Sequence, residues 1–177
     1  MKTINEVFFF FILLGFIFNS PVFAADNNDT AALVMDIPSI CKLTVRNADQ
    51  SINLLQDASG EAAYEAGYVN GATDRPELTI DSNTSWKLSV RVRSDWNNVN
   101  GYQKQISDLM LKATSRNGRQ TGFIDFASLA MNDQEIASNS QGIGSSVYNC
   151  QYRVLLGWEK DKPGAYNVII VYTLATQ

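Results

Sequence analysis

The chain of 177 residues carries 14 Lys and Arg against 18 Asp and Glu, a formal net charge of −4, and contains no histidine. The absence of a basic block argues against nucleic acid and anionic membrane as partners, and the missing histidine removes Cys–His and Ser–His nucleophile pairs. The length suits one domain with a core of its own.

Residues 1–24 read as a secretory signal peptide. Lys2 opens the n-region, "VFFFFILLGFIF" supplies an apolar stretch of h-region length, and "NSPVFA" places small residues ahead of an expected cleavage after Ala24. The apolar run is shorter than a membrane span and no second one follows, so an exported product without membrane insertion is expected, extracellular, at the cell surface or periplasmic. Residues 25–32 are a flexible lead-in, and 33–177 are expected to form one β-sandwich domain. Cys41 and Cys150, the only cysteines, both lie in the exported part, where an even pair most simply forms one disulfide.

From Leu33 the apolar residues Leu33, Met35 and Ile37 alternate, Pro38 interrupts, and Cys41, Leu43 and Val45 resume; two short strands or one bent edge strand fit this pattern. A loop-rich stretch follows, with "EAAYEA" able to make a helical turn bounded by Gly60 and Gly67. Leu78 and Ile80 precede the turn "DSNTS". Trp86, Leu88, Val90 and Val92 then share one face, with Lys87, Ser89, Arg91 and Arg93 on the other, the period of a half-buried strand. Leu109 and Leu111 repeat the pattern, whereas "GFIDFASLAMNDQEIASNSQGIGSS" has an ambiguous period, two brief strands or one helical turn.

The last third is strand again. Cys150, Tyr152, Val154, Leu156 and Trp158 share one face. After the turn "EKDKPG", Tyr166, Val168, Ile170, Tyr172 and Leu174 form another, with Ile169 and Val171 making the opposite face apolar, so this strand is expected to lie centrally or to be covered. Short strands, frequent turns and no sustained amphipathic helix specify an all-β fold, a single-domain antiparallel immunoglobulin-like β-sandwich. Both cysteines point inward and are expected to join facing sheets.

Catalytic signals are sparse. Asp133 and Glu135 would share a face of an extended segment, as the two carboxylates of a glycan-active hydrolase require, but that spacing is common. "QGIGSS" lacks the third glycine and the strand–helix context of a phosphate cradle, and "DNND" and "DSN" do not match a calcium loop. With no histidine and the two cysteines bridged, no zinc or copper site and no cofactor is expected. Among the aromatics, Trp86, Trp158 and Tyr172 are in phase with aliphatic neighbours and belong to the core. Trp96 and Tyr102, in the polar segment "SDWNNVNGYQ", are the candidate ligand contacts, able to cover a sugar face.

"SWKLSVRV" contains a Trp-x-Leu at Trp86 and Leu88, and "PGAYNVIIVYTLATQ" resembles the closing strand of WxL domains, with Tyr172 in place of the second Trp and Leu174 retained. The resemblance spans residues 78–177. It implies a noncatalytic, WxL-like surface or envelope module, with cell-wall or envelope glycan or other surface proteins as partners. The alternative is a fimbrial or surface-fibre subunit that assembles by strand addition and so forms homo-oligomers; a hydrolase ranks third.

Overall fold

The computed structural model describes residues 34–54, 57–98, 102–117, 119–141 and 143–177, so the signal peptide, the lead-in, Leu33 and Gly142 lie outside it. A compact unit runs from Pro38 to Gln177. Residues 34–40 form no strand, and pairing begins only after Pro38.

The elements in chain order are β1 (Cys41–Arg46), α1 (Ala58–Ala66), β2 (Tyr68–Asn70), β3 (Glu77–Asn83), β4 (Trp86–Val92), β5 (Asn97–Asn98), a 3₁₀ turn (Ile106–Asp108), β6 (Leu109–Ser115), β7 (Ala127–Ser128), β8 (Gln134–Asn139), β9 (Ile143–Leu155), β10 (Tyr166–Asn167) and β11 (Ile170–Thr176). One sheet has the order β1-β3-β9-β6-β7, with β2 pairing the end of β9 beyond β3; the second has the order β11-β4-β8. Every ladder is antiparallel. Among the described residues the fold is all-β apart from one short α-helix and the 3₁₀ turn.

The core lies between the sheets. β3, β6 and β9 contribute Leu78, Ile80, Leu111, Tyr148 and Cys150, and β4 and β8 contribute Trp86, Leu88, Val90, Val92 and Ile136, each essentially without solvent exposure. Trp86 meets Tyr148 edge-to-face across the sandwich, with ring centroids 6.4 Å apart, a geometry that adds to the area both rings bury. The ladder of β4 with β8 shifts register between Leu88 and Ser89, leaving Ile136 as the extra residue of a bulge. Thr121 and Gly122 donate their amides to the Ile136 carbonyl at 3.1 and 2.9 Å, bringing the chain so close that a Cβ at Gly122 would stand 2.0 Å from the Glu135 carbonyl oxygen.

The helix is longer than the single turn expected. Asp57 caps it, its Oδ1 accepting from Ser59 N at 2.8 Å and Gly60 N at 3.2 Å, and Gly67 closes it at φ 76°, where a residue without Cβ is unstrained. The ambiguous segment after Gly122 resolves into β7 and β8.

Three expectations change. The Cys41–Cys150 bridge is not formed; both thiols are free. They do point toward the core but belong to the same sheet, separated by β3. Cys41 lies level with Ser82 and Ser82 with Gly144, so Cys150 is six residues further along β9, about 20 Å at strand rise, far beyond the roughly 4.4–6.8 Å between α-carbons that a disulfide spans. Trp158 is not a core residue either. β9 ends at Leu155, and the turn that follows carries the indole outward to 64% exposure, stacked on Tyr64. Finally, β11 is an edge strand, not a central one.

Candidate functional site

The two terminal strands of the domain define the site. β11 pairs only with β4 and β1 only with β3, each the last strand of its sheet. They approach within 8 Å of each other, yet among the described residues no ladder joins them. Each therefore presents one side of its backbone without sheet partners, the arrangement that permits pairing with another chain.

The side chains along this margin are incompletely covered. Leu88 and Val90 of β4 are fully buried, but Leu174 and Tyr172, directly opposite them on β11, are only half-buried although packed against the core. Ile170 of β11 and Cys41 and Leu43 of β1 are in the same condition, and Val45 is exposed. The inner face of the sandwich is thus sealed in the middle and open along the margin shared by β1 and β11. The last residue is pinned: Ser85 Oγ donates to the Gln177 carbonyl at 2.6 Å, and Gln177 N donates to the Ser85 carbonyl at 3.1 Å.

At the inner end of this margin the Tyr152 and Tyr172 hydroxyls hydrogen-bond at 2.7 Å. Tyr172 as a whole residue is half-buried, while its hydroxyl is enclosed. Burial raises the pKa of both phenols above the ordinary value of 10.0, and burial pushes the neighbouring Cys150 thiol up to about 12. These groups are neutral through the physiological range, so they serve packing and hydrogen bonding and supply no thiolate nucleophile.

Of the aromatics expected to contact ligand, Trp96 is buried, its ring edge-to-face with Tyr166 at 6.4 Å and its Nε1 without a hydrogen-bond partner among the described residues. The polar segment around it conceals a core residue, because Tyr166 supplies an apolar contact distant in sequence. Tyr102 is exposed, but Trp96 is not available to form a platform with it. Trp86 and Leu88 sit in the core on β4, and Tyr172 and Leu174 on the adjoining β11; Leu88 faces Leu174 directly in the ladder.

Asp133 and Glu135 lie on the outer face of the second sheet. Asp133 pairs with Arg91 at 3.5 Å and Glu135 with Lys87 at 3.1 Å. Glu135 also accepts from Thr121 Oγ1 at 2.7 Å and Ser138 Oγ at 2.9 Å; the Thr121 hydroxyl, then Lys87 and Ser138, hold its carboxyl below the usual range. A glycosidase acid needs the opposite shift.

The segment ahead of β1, whose alternation fits a strand in the sequence, forms none in the structure. Val34, Met35, Ile37 and Ile40 are all exposed, Met35 and Ile37 at 72% and 70%. Ile40 is bonded to Asn83, but among the described residues 34–37 pair with no strand, and a period-2 apolar pattern in that condition is one that another chain can pair with.

No family model matches the chain, and no curated protein matches it. Among solved structures it is similar to a chaperone–usher pilus, at 14% identity with a TM-score of 0.45, covering 89% of this chain and all of that one. It is also similar to the P pilus rod subunit PapA, at 16% identity and TM-score 0.42, covering 77% of this chain and 99% of that one. A third similarity, at 15% identity and TM-score 0.35, is to a family 123 glycoside hydrolase from Clostridium perfringens, covering 77% of this chain but 25% of the enzyme. At identities this low the likenesses assign no function to this chain.

Proposed function

We propose that this chain is an exported, noncatalytic subunit of an assembled surface fibre, its sandwich completed by an apolar strand added from another copy. The observation that carries this reading is the open margin between β1 and β11, where Cys41, Leu43, Ile170, Tyr172 and Leu174 contact the core but keep part of their surface in water. An extended apolar segment laid there would bury that surface and satisfy unpaired edge backbone in one step. Val34, Met35 and Ile37, exposed within their own copy, have the composition such an insert needs. This is the class to which two of the similar structures above belong.

The test is sedimentation velocity of purified residues 25–177 over a wide concentration range, beside a variant with Val34, Met35 and Ile37 changed to Ser. The parent should form concentration-dependent oligomers and the variant should stay monomeric. The variant should also bind a synthetic peptide of residues 25–40. A parent that stays monomeric throughout, with no peptide binding to the variant, rejects strand addition.

A second reading, a wall-associated module of the WxL kind, is favoured by one observation. The Trp86–Leu88 motif and its relaxed counterpart Tyr172–Leu174 lie on adjacent strands with their leucines paired. Saturable cosedimentation of monomer with isolated cell walls would support it.

A further inference from the structure

A second feature lies where β9 ends, β2 begins and the 3₁₀ turn enters β6. Leu156 N donates to the Gly67 carbonyl at 2.8 Å, holding the chain beyond β9 against the C-terminal cap of α1. The next residues close a turn: Lys160 N and Asp161 N donate to the Gly157 carbonyl at 3.1 and 3.0 Å, and Gly157 N donates back to Asp161 Oδ2 at 2.9 Å. Asp161 Oδ1 is gripped by Lys104 Nζ at 2.5 Å, and the same ammonium reaches Asp108 Oδ2 at 3.1 Å. Lys104 and Asp161 have almost no side-chain exposure, so the turn is fixed to the body of the domain by a buried ion pair.

This rigid turn presents Trp158 to solvent. Its indole stacks on Tyr64 of α1 with centroids 4.5 Å apart and planes 29° apart, yet it stays 64% exposed. Beside it lies a hollow of about 520 Å³ lined by Lys104, Asp108, Leu156, Trp158, Glu159 and Lys160, within the roughly 300–1,000 Å³ typical of small-ligand sites. Trp86 and Trp96 are both buried, which makes Trp158 the one exposed indole of the three in the chain.

We propose that this hollow is a saccharide-binding site, taking a neutral pyranose unit with its apolar face against the indole of Trp158. The ring is amphipathic and already oriented by Tyr64, so little conformational entropy is lost on binding. The hollow offers donors and acceptors together, from Lys160, Glu159 and Asp108, which suits hydroxyl groups that both donate and accept. Lys104 is held by both Asp161 and Asp108, and the lining carries three carboxylates against two ammonium groups, so the hollow has no spare cation to recruit an anionic ligand. The site is independent of the β1–β11 margin and of the assembly proposed there.

The probes are trisaccharides of glucose, mannose, galactose and N-acetylglucosamine, added to millimolar concentration to residues 25–177. At least one should shift the Trp158 emission to the blue, protect it from acrylamide and give a ligand-side saturation-transfer signal. Trp158→Ala should abolish that signal while leaving the circular dichroism and unfolding midpoint unchanged, and Lys160→Ala should weaken binding several-fold. The proposal is overturned if none of the four perturbs Trp158, or if Trp158→Ala binds the active sugar as well as the parent does.

Discussion

Tyr152 on β9 and Tyr172 on β11 connect the two sheets through a hydroxyl–hydroxyl hydrogen bond of 2.7 Å, a contact that holds an edge strand to the opposite sheet. Tyr172→Phe leaves the Tyr152 hydroxyl buried without this partner, and a loss of about 1–3 kcal/mol is expected. Removing both hydroxyls should recover part of that loss, because the orphaned group is gone. A double-mutant cycle in urea checks this, and strictly additive single losses would show that the hydroxyls act independently.

Alkali should weaken the fold in a defined direction. Burial raises the pKa of Tyr152, Tyr172 and Cys150, whose ordinary values are 10.0, 10.0 and 9.0. Above pH 9 the unfolded chain releases protons that the folded chain retains, so stability falls with rising pH and is unaffected by these groups below that range. Unfolding midpoints measured upward from pH 8 should decline from about pH 9–10, and less steeply in the Tyr152→Phe, Tyr172→Phe double variant.

Thiol chemistry separates the two cysteines. Cys41 is half-buried on an edge strand, whereas Cys150 is fully buried with its pKa pushed up to about 12. Native protein should label with a thiol reagent at Cys41 first, and Cys150 should react only on unfolding. A monomer lacking two hydrogens by intact mass, with neither thiol reactive, would instead restore the intramolecular bridge.

Gly122→Ala should be severe for so small a change. The added methyl would meet the Glu135 carbonyl oxygen, a backbone atom in the β8 bulge that has no rotamer with which to withdraw. Overpacking of this kind costs about 1–3 kcal/mol. A urea midpoint equal to the parent's would show that the bulge yields freely.

Lys104→Ala removes the cation that Asp161 and Asp108 share. Breaking a buried pair from one side costs about 3–5 kcal/mol. Only part of the loss should be recovered in Lys104→Ala combined with Asp161→Ala, because Asp108 still lacks its cation and Gly157 N loses its acceptor, as thermal unfolding would reveal.

The strand periods of Trp86–Val92 and of Cys150–Val154 were legible because period-2 alternation follows directly from burial of one face. The misread positions share a cause, since each depends on where neighbouring strands stand and not on local pattern. The inward face of Cys41 and of Cys150 was visible, but only the ladders reveal that both belong to one sheet. Trp158 continues the phase of β9 on paper, yet the strand stops at Leu155 and the Gly157 turn rotates the indole away. Trp96 lies among polar residues and is buried by Tyr166, a partner seventy positions later. β11, apolar on both faces and expected to lie centrally or to be covered, is an edge with Ile169 exposed, and that discrepancy points to the candidate site.

The absence of a ladder between β1 and β11 also has a mechanical side. Tension applied to the two ends of the β domain would enter through strands that belong to different sheets. Among the described residues no direct ladder carries that load from β1 to β11; the backbone route between the sheets runs through the crossing segments 121–123 and 129–130, which bond to β6 on one side and to β8 and β4 on the other. Where β1 and β11 themselves meet, the sheets are held together by side chains, the Tyr152–Tyr172 hydroxyls and the packed aliphatic residues between them. Rupture force under pulling should therefore track core packing more closely than strand length.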